Sequence, residues 1–146
     1  MRDFIPQIEP WIDNSELIEL KRVIDSTFVT ENELTKEFEG MIKELTGSKY
    51  AISMTNGTAA LFCCLKALGV PDMTFVATSN AVLMANATPI FCDIDEDTFC
   101  IDPKKIESLI TDKTKAIIPV HLYGQSADMD KIMSLAKKYD LKVIED

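Results

Sequence analysis

The chain has 146 residues, 47% hydrophobic and 27% charged, which allows one domain with a real core and is ordinary for a globular protein. A net charge of −9, with 24 acidic side chains against 15 scattered basic ones, argues against a nucleic-acid backbone as partner. No apolar run approaches the ~18 residues needed to span a bilayer, and the start Met1-Arg2-Asp3-Phe4-Ile5-Pro6 lacks a signal-peptide pattern, so a cytoplasmic protein is expected.

An extended arm over residues 1–14 leads into a helix that Asn14 or Ser15 is placed to cap. It runs to about Ser26 with Leu17, Leu20 and Ile24 on one face. In a second helix, Leu34, Phe38, Met41, Ile42 and Leu45 form an amphipathic stripe, and Gly47 stands where a left-handed C-terminal cap is expected. The pattern then changes to alternating strands and helices. Tyr50–Ser53 reads as a short strand, Thr55-Asn56-Gly57 as a turn, and Thr58–Leu68 as an apolar helix ended by Gly69. Further helices are predicted over Thr74–Asn86, Pro103–Ile110 and Asp128–Tyr139, and strands over Pro89–Asp93, Lys115–Val120 and Leu141–Glu145. Short apolar strands separated by helices predict an α/β fold with a parallel sheet covered on both faces.

One place breaks the rhythm. Only Val70, Pro71, Asp72 and Met73 separate the helix ending at Gly69 from the one opening near Thr74. Two helices joined so tightly cannot both flank a strand of a βαβ alternation, so one strand is missing near Val70-Pro71. The expectation is a broken or abnormally long chain link there, or a sheet lacking that strand.

The cysteines Cys63, Cys64, Cys92 and Cys100 have no zinc-ligand spacing with the single histidine, His121. Reduced, core-packing thiols are expected, with Cys63 and Cys64 on a buried helix. Asp93, Asp95 and Asp97 lack the glycine and closing glutamate of a calcium loop, and no metal site is expected.

Several groups are candidates for chemistry. Thr55-Asn56-Gly57-Thr58-Ala59-Ala60 follows a predicted strand and starts a helix. The free N–H groups of the first helical turn and the Thr58 hydroxyl suit a phosphate, and Gly57 allows close approach. On these residues alone, a simple helix cap by Thr58 or Asn56 is the commoner reading. No GxGxxG or GxxxxGK[ST] motif is present, so dinucleotide and P-loop sites are not supported. Asp146 directly follows a predicted strand, where ligands bind in parallel α/β sheets. A carboxylate there can hold a pyridine nitrogen protonated, although a helix cap or solvated acid is the commoner role. His121, in Pro119-Val120-His121-Leu122-Tyr123-Gly124-Gln125, also sits at a strand end, where a lone histidine is usually structural.

Taken together, these segments resemble the sugar aminotransferases of the DegT/StrS group, within the pyridoxal phosphate (PLP) enzymes of fold type I. The matching stretches are Phe28-Val29-Thr30, Ser53-Met54-Thr55-Asn56-Gly57-Thr58-Ala59-Ala60-Leu61 and Pro71-Asp72-Met73-Thr74-Phe75-Val76-Ala77-Thr78-Ser79-Asn80-Ala81. Ala87-Thr88-Pro89-Ile90-Phe91-Cys92-Asp93-Ile94-Asp95, the segment from Pro119 to Gln125 with Asp128-Met129, and Val143-Ile144-Glu145-Asp146 complete the series. The resemblance implies that Gly57, Thr58 and Ala59 hold the cofactor phosphate, that Phe75 lies against the pyridine ring, and that Asp146 pairs with its nitrogen. It further implies a homodimer, a nucleotide-linked keto-sugar as substrate and an amino donor such as glutamate.

Two departures accompany it. Relatives carry a strand of the form GDEVIV where Val70 here meets Pro71. No lysine in the 146 residues matches the family's Schiff-base motif, which lies further on, as does the small C-terminal domain. The chain is thus expected to be a partial PLP-binding large domain without turnover of its own. A related PLP-dependent sugar dehydratase, or a non-catalytic α/β binding module, are the alternatives.

Overall fold

The computed structural model describes residues 9–30, 33–69 and 76–146, the side chains of 76–78 excepted. The chain divides into two units, Met1–Ser53 and Met54–Asp146. The Val70-Pro71 junction and Phe75 lie outside the described residues.

In the first unit, helix α1 spans Asn14–Ser26 and α2 spans Glu33–Thr46. The cap of α1 is Asp13, not Asn14 or Ser15. Asp13 accepts the Ser15 N–H at 2.7 Å, and Glu16 accepts the Asp13 N–H at 2.7 Å, a reciprocal box that neither neighbour can form. Arg22 bridges Glu19 and Glu37 and so links α1 to α2. Gly47 has φ +68, as expected of a helix-ending glycine. No residue of α1 or α2 is buried, and Leu17, Leu20, Ile24, Phe38, Met41 and Leu45 are exposed.

Tyr50–Ser53 is not a strand. Its amides find no ladder, and Ser53 instead gives its N–H and hydroxyl to Glu39 at 2.8 and 2.9 Å. Those two bonds hold the Glu39 carboxyl below its ordinary pKa.

The second unit opens with α3, Gly57–Leu68, followed by α4, Val76–Met84. Gly69 ends α3 at φ +61, a conformation that disfavours any side chain. The segment Pro89–Asp93 is not a strand. Its Asp93 O accepts the Asp102 N–H at 3.0 Å, beside an isolated antiparallel bridge between Ile94 and Ile101. Helix α5 covers only Pro103–Ile106, capped by Asp102, and tightens into a 3-10 turn at Glu107–Leu109. The Ser108 hydroxyl bonds back to Lys105 O at 2.9 Å, which competes with α-helical continuation to Ile110.

Strands β1, Ala116–Ile117, and β2, Lys142–Val143, pair in parallel and are joined through α6, Met129–Lys138, which Asp128 caps. Both regular strands are shorter than their sequence pattern, yet the ladder continues beyond them. Lys142 N–H donates to Lys115 O, Ile144 to Ile117, Asp146 to Pro119, and His121 back to Asp146. Pro119 has no N–H and takes part through its carbonyl alone.

Alternation along these strands separates two cores. Ala116, Ile118 and Ile144 pack with Leu61 and Leu65 of α3 and Val82 of α4. Ile117 and Val143 face the other way, toward Ile106 of α5 and Ile132 and Ala136 of α6. A parallel sheet covered on both faces is therefore present, carried by these two strands among the described residues. All four cysteines are free, but only Cys100 is buried and Cys92 half-buried. Cys63 and Cys64 are exposed, contrary to the expectation of a buried helix, because the core-facing residues of α3 are Leu61 and Leu65. Burial raises the pKa of the Cys92 thiol, and the nearby Asp102 charge adds to the shift, so it is a poor nucleophile.

Candidate cofactor site

Asn56, in extended backbone, is the N-cap of α3, and its Oδ1 accepts the Ala59 N–H at 2.9 Å. Asn56 rather than Thr58 therefore fills the capping role. The amides of Gly57 and Thr58 stand in the first turn, where no intrahelical acceptor exists, and the positive end of the helix dipole lies there. Thr58 is half-buried and Gly57 exposed. A Cβ on Gly57 would have nothing within 4 Å among the described residues, and its φ is not in the left-handed region. Glycine is thus not required there by the chain's own conformation.

Asp146 follows β2 in the ladder. Its N–H donates to Pro119 O at 2.9 Å and its carbonyl accepts from the His121 N–H at 2.8 Å. Period-two alternation projects its carboxylate from the same face as Ile144, two residues earlier. That face carries α3, since Ile144 shares a core with Leu61, three residues after Thr58. Helix α3 and the strand end that leads into Asp146 thus pack on one face of the sheet. Phe75 lies outside the described residues.

His121 belongs to the opposite face. Its Nδ1 accepts the Ala127 N–H at 3.1 Å, and its Nε2 lies 3.0 Å from Glu145 Oε2. Because Nδ1 accepts, the ring proton is on Nε2, which donates to Glu145. The histidine is structural in this arrangement, and Glu145 is a partner that the sequence does not announce. The available signal was parity: both residues fall at the ends of neighbouring parallel strands and on the same face. Asp95, Asp102 and Asp128 accept local N–H groups at turns and helix starts. Among the described residues, no group of three or more His, Cys, Asp or Glu side chains is arranged to hold a metal ion.

A helix start and a strand end that share one core on one face of a parallel sheet define an α/β protein of the kind that binds ligands beyond the carboxyl ends of its strands. The model of the DegT/DnrJ/EryC1/StrS aminotransferase family matches residues 10–146, and the chain belongs to that family. It is similar to the aminotransferase from Psychrobacter cryohalolentis at 40% identity and TM-score 0.86, over 94% of this chain and 38% of that one. NtdA from Bacillus subtilis, solved with its PMP cofactor bound, shows 37% identity and TM-score 0.86 over 99% of this chain and 38% of its own. DesI, solved with its TDP-sugar product, shows 33% identity and TM-score 0.83, with 93% and 37% covered. The chain therefore spans less than half the length of these relatives. Their likeness identifies the fold as that of the PLP fold type I aminotransferases.

Proposed function

We propose that this chain is the cofactor-binding part of a PLP-dependent aminotransferase acting on a nucleotide-linked keto-sugar, with residues 1–146 forming part of the large domain and 1–14 its arm. The observation that supports the reading is the core shared by Leu61 of α3 and Ile144, from which period-two alternation puts Asp146 toward the α3 face. The residues fit PLP. The amides of Gly57 and Thr58 and the Thr58 hydroxyl take the phosphate, and Ala59 joins them where the Asn56 side chain releases its amide. Phe75 supplies an aromatic face against the ring, and Asp146 keeps a proton on the pyridine nitrogen.

Bound PLP supplies an aldehyde for the donor's amino group and an electron-withdrawing ring. The contribution of this chain is to bind and orient that ring and to hold one proton at its nitrogen. The donor is glutamate, the enzyme is a cytoplasmic homodimer, and the product is an amino sugar attached to a nucleotide. DesI, with its TDP-sugar product, supports the substrate class, and NtdA, with PMP, supports the cofactor.

The test is to titrate the protein with PLP and follow saturable binding through the absorbance of the bound chromophore. Saturable PLP binding lost in Asp146→Ala and weakened in Thr58→Val supports the reading. Unchanged binding in both variants removes it.

A further inference from the structure

We infer that His121 is a positioning residue, which in its Nε2–H form locks the end of β2 so that the Asp146 carboxylate is held in one direction. The inference rests on the reading of Asp146 as the partner of the pyridine nitrogen.

Four hydrogen bonds converge on this corner. The His121 main-chain N–H donates to Asp146 O at 2.8 Å, and the Asp146 N–H donates to Pro119 O at 2.9 Å. The ring accepts from the Ala127 N–H at 3.1 Å and donates to Glu145 at 3.0 Å. Ala127 is 4% exposed and belongs to the core under α6, so the ring is anchored to a fixed point. The Glu145 side chain is 58% exposed and would otherwise rotate freely among its rotamers. The Asp146 N–H bond to Pro119 O orients the peptide plane between residues 145 and 146, and the held Glu145 side chain ties that strand end to the His121 ring as well. The Cα–Cβ direction of Asp146 on the other face is fixed with it. Small errors in the placement of a group that must meet a cofactor atom are costly, and His121 removes that freedom without touching the ring.

The chain's single histidine makes the ring unambiguous by nitrogen NMR. The expected spectrum has the proton on Nε2 and a bare Nδ1, whereas a proton on Nδ1 overturns the inference by itself. The second arm uses the protein loaded with PLP labelled with ¹⁵N in the pyridine ring. Glu145→Ala is expected to lose the protonated-pyridine signal at least in part, with the ³¹P resonance of the phosphate unmoved. Glu145→Gln keeps an acceptor oxygen for Nε2–H and is expected to restore the signal. An unaltered pyridine signal in Glu145→Ala, or equal disturbance of pyridine and phosphate, overturns the inference. A pyridine nitrogen already unprotonated in the unsubstituted protein removes the Asp146 reading, and the inference falls with it.

Discussion

The Asn56 side-chain oxygen accepts the Ala59 main-chain N–H at 2.9 Å, so one of the amides available to an anion at the start of α3 is already engaged by the chain itself. The same residue therefore stabilises the helix and borders the proposed phosphate position. Its two roles separate on substitution. Asn56→Ala removes the cap and is expected to lower stability by about 1 kcal/mol in denaturant unfolding. Asn56→Asp keeps the cap but places a negative charge beside the phosphate. PLP binding is then expected to weaken roughly tenfold or more, ~1.4 kcal/mol. Equal PLP affinity in Asn56→Asp and the unsubstituted protein would place the phosphate elsewhere.

At Gly57 stability and binding should move in opposite directions. Among the described residues no atom lies within 4 Å of a Cβ there, and its φ is not in the left-handed region. Gly57→Ala is therefore expected to leave stability unchanged or raise it by up to ~1 kcal/mol. The added methyl enters the space over the helix start and is expected to reduce PLP affinity, read by titration of the bound chromophore.

The helices were legible because their signals are local. The stripe of Leu34, Phe38, Met41, Ile42 and Leu45 and the glycines at 47 and 69 mark α2 and α3 within a few residues. Tyr50–Ser53 and Pro89–Asp93 have apolar residues suited to strands but no ladder among the described residues. A strand depends on a partner that its own residues do not encode. Thr58 and Asp146 could be singled out as candidates because a helix start and a strand end are readable positions. Asn56 rather than Thr58 is the cap because its backbone is extended just before the helix, whereas Thr58 lies inside it. The His121–Glu145 pair joins residues 24 apart in sequence and emerges only when β1 and β2 lie side by side.

The core that holds α3 to the sheet should be sensitive to truncation. Leu65 is fully buried among Ala81, Val82, Ile118 and Ile144. Leu65→Ala is expected to cost ~2–5 kcal/mol, measured by chemical unfolding, and to weaken PLP binding because Thr58 and Asp146 lose their common support. A small stability change with PLP affinity intact would show that α3 and Asp146 do not depend on this cluster.

Acid should loosen the second unit through its paired carboxylates. The hydrogen bond from Lys105 lowers the pKa of Asp93, Lys138 does the same for Glu107, and Lys131 for Asp128. A lowered folded-state pKa means that the unfolded chain binds more protons as the pH falls. The stabilising contribution is therefore complete above the ordinary carboxylate range, about pH 4–5, and is lost as the pH falls through the lowered folded values. Thermal unfolding across pH 2–6 (roughly the range of carboxylate titration) should show this fall, reduced in Asp128→Asn. A melting temperature independent of pH over that interval would contradict the pairing.

The central claim is that the start of α3 and the end of β2 hold one cofactor between them. A crystal structure of the PLP-loaded protein tests it most directly. The expected result has the phosphate on the Gly57 and Thr58 amides and the Thr58 hydroxyl, and the Asp146 carboxylate at the pyridine nitrogen. PLP bound elsewhere, or Thr58 and Asp146 on opposite faces or edges of the sheet, would contradict it.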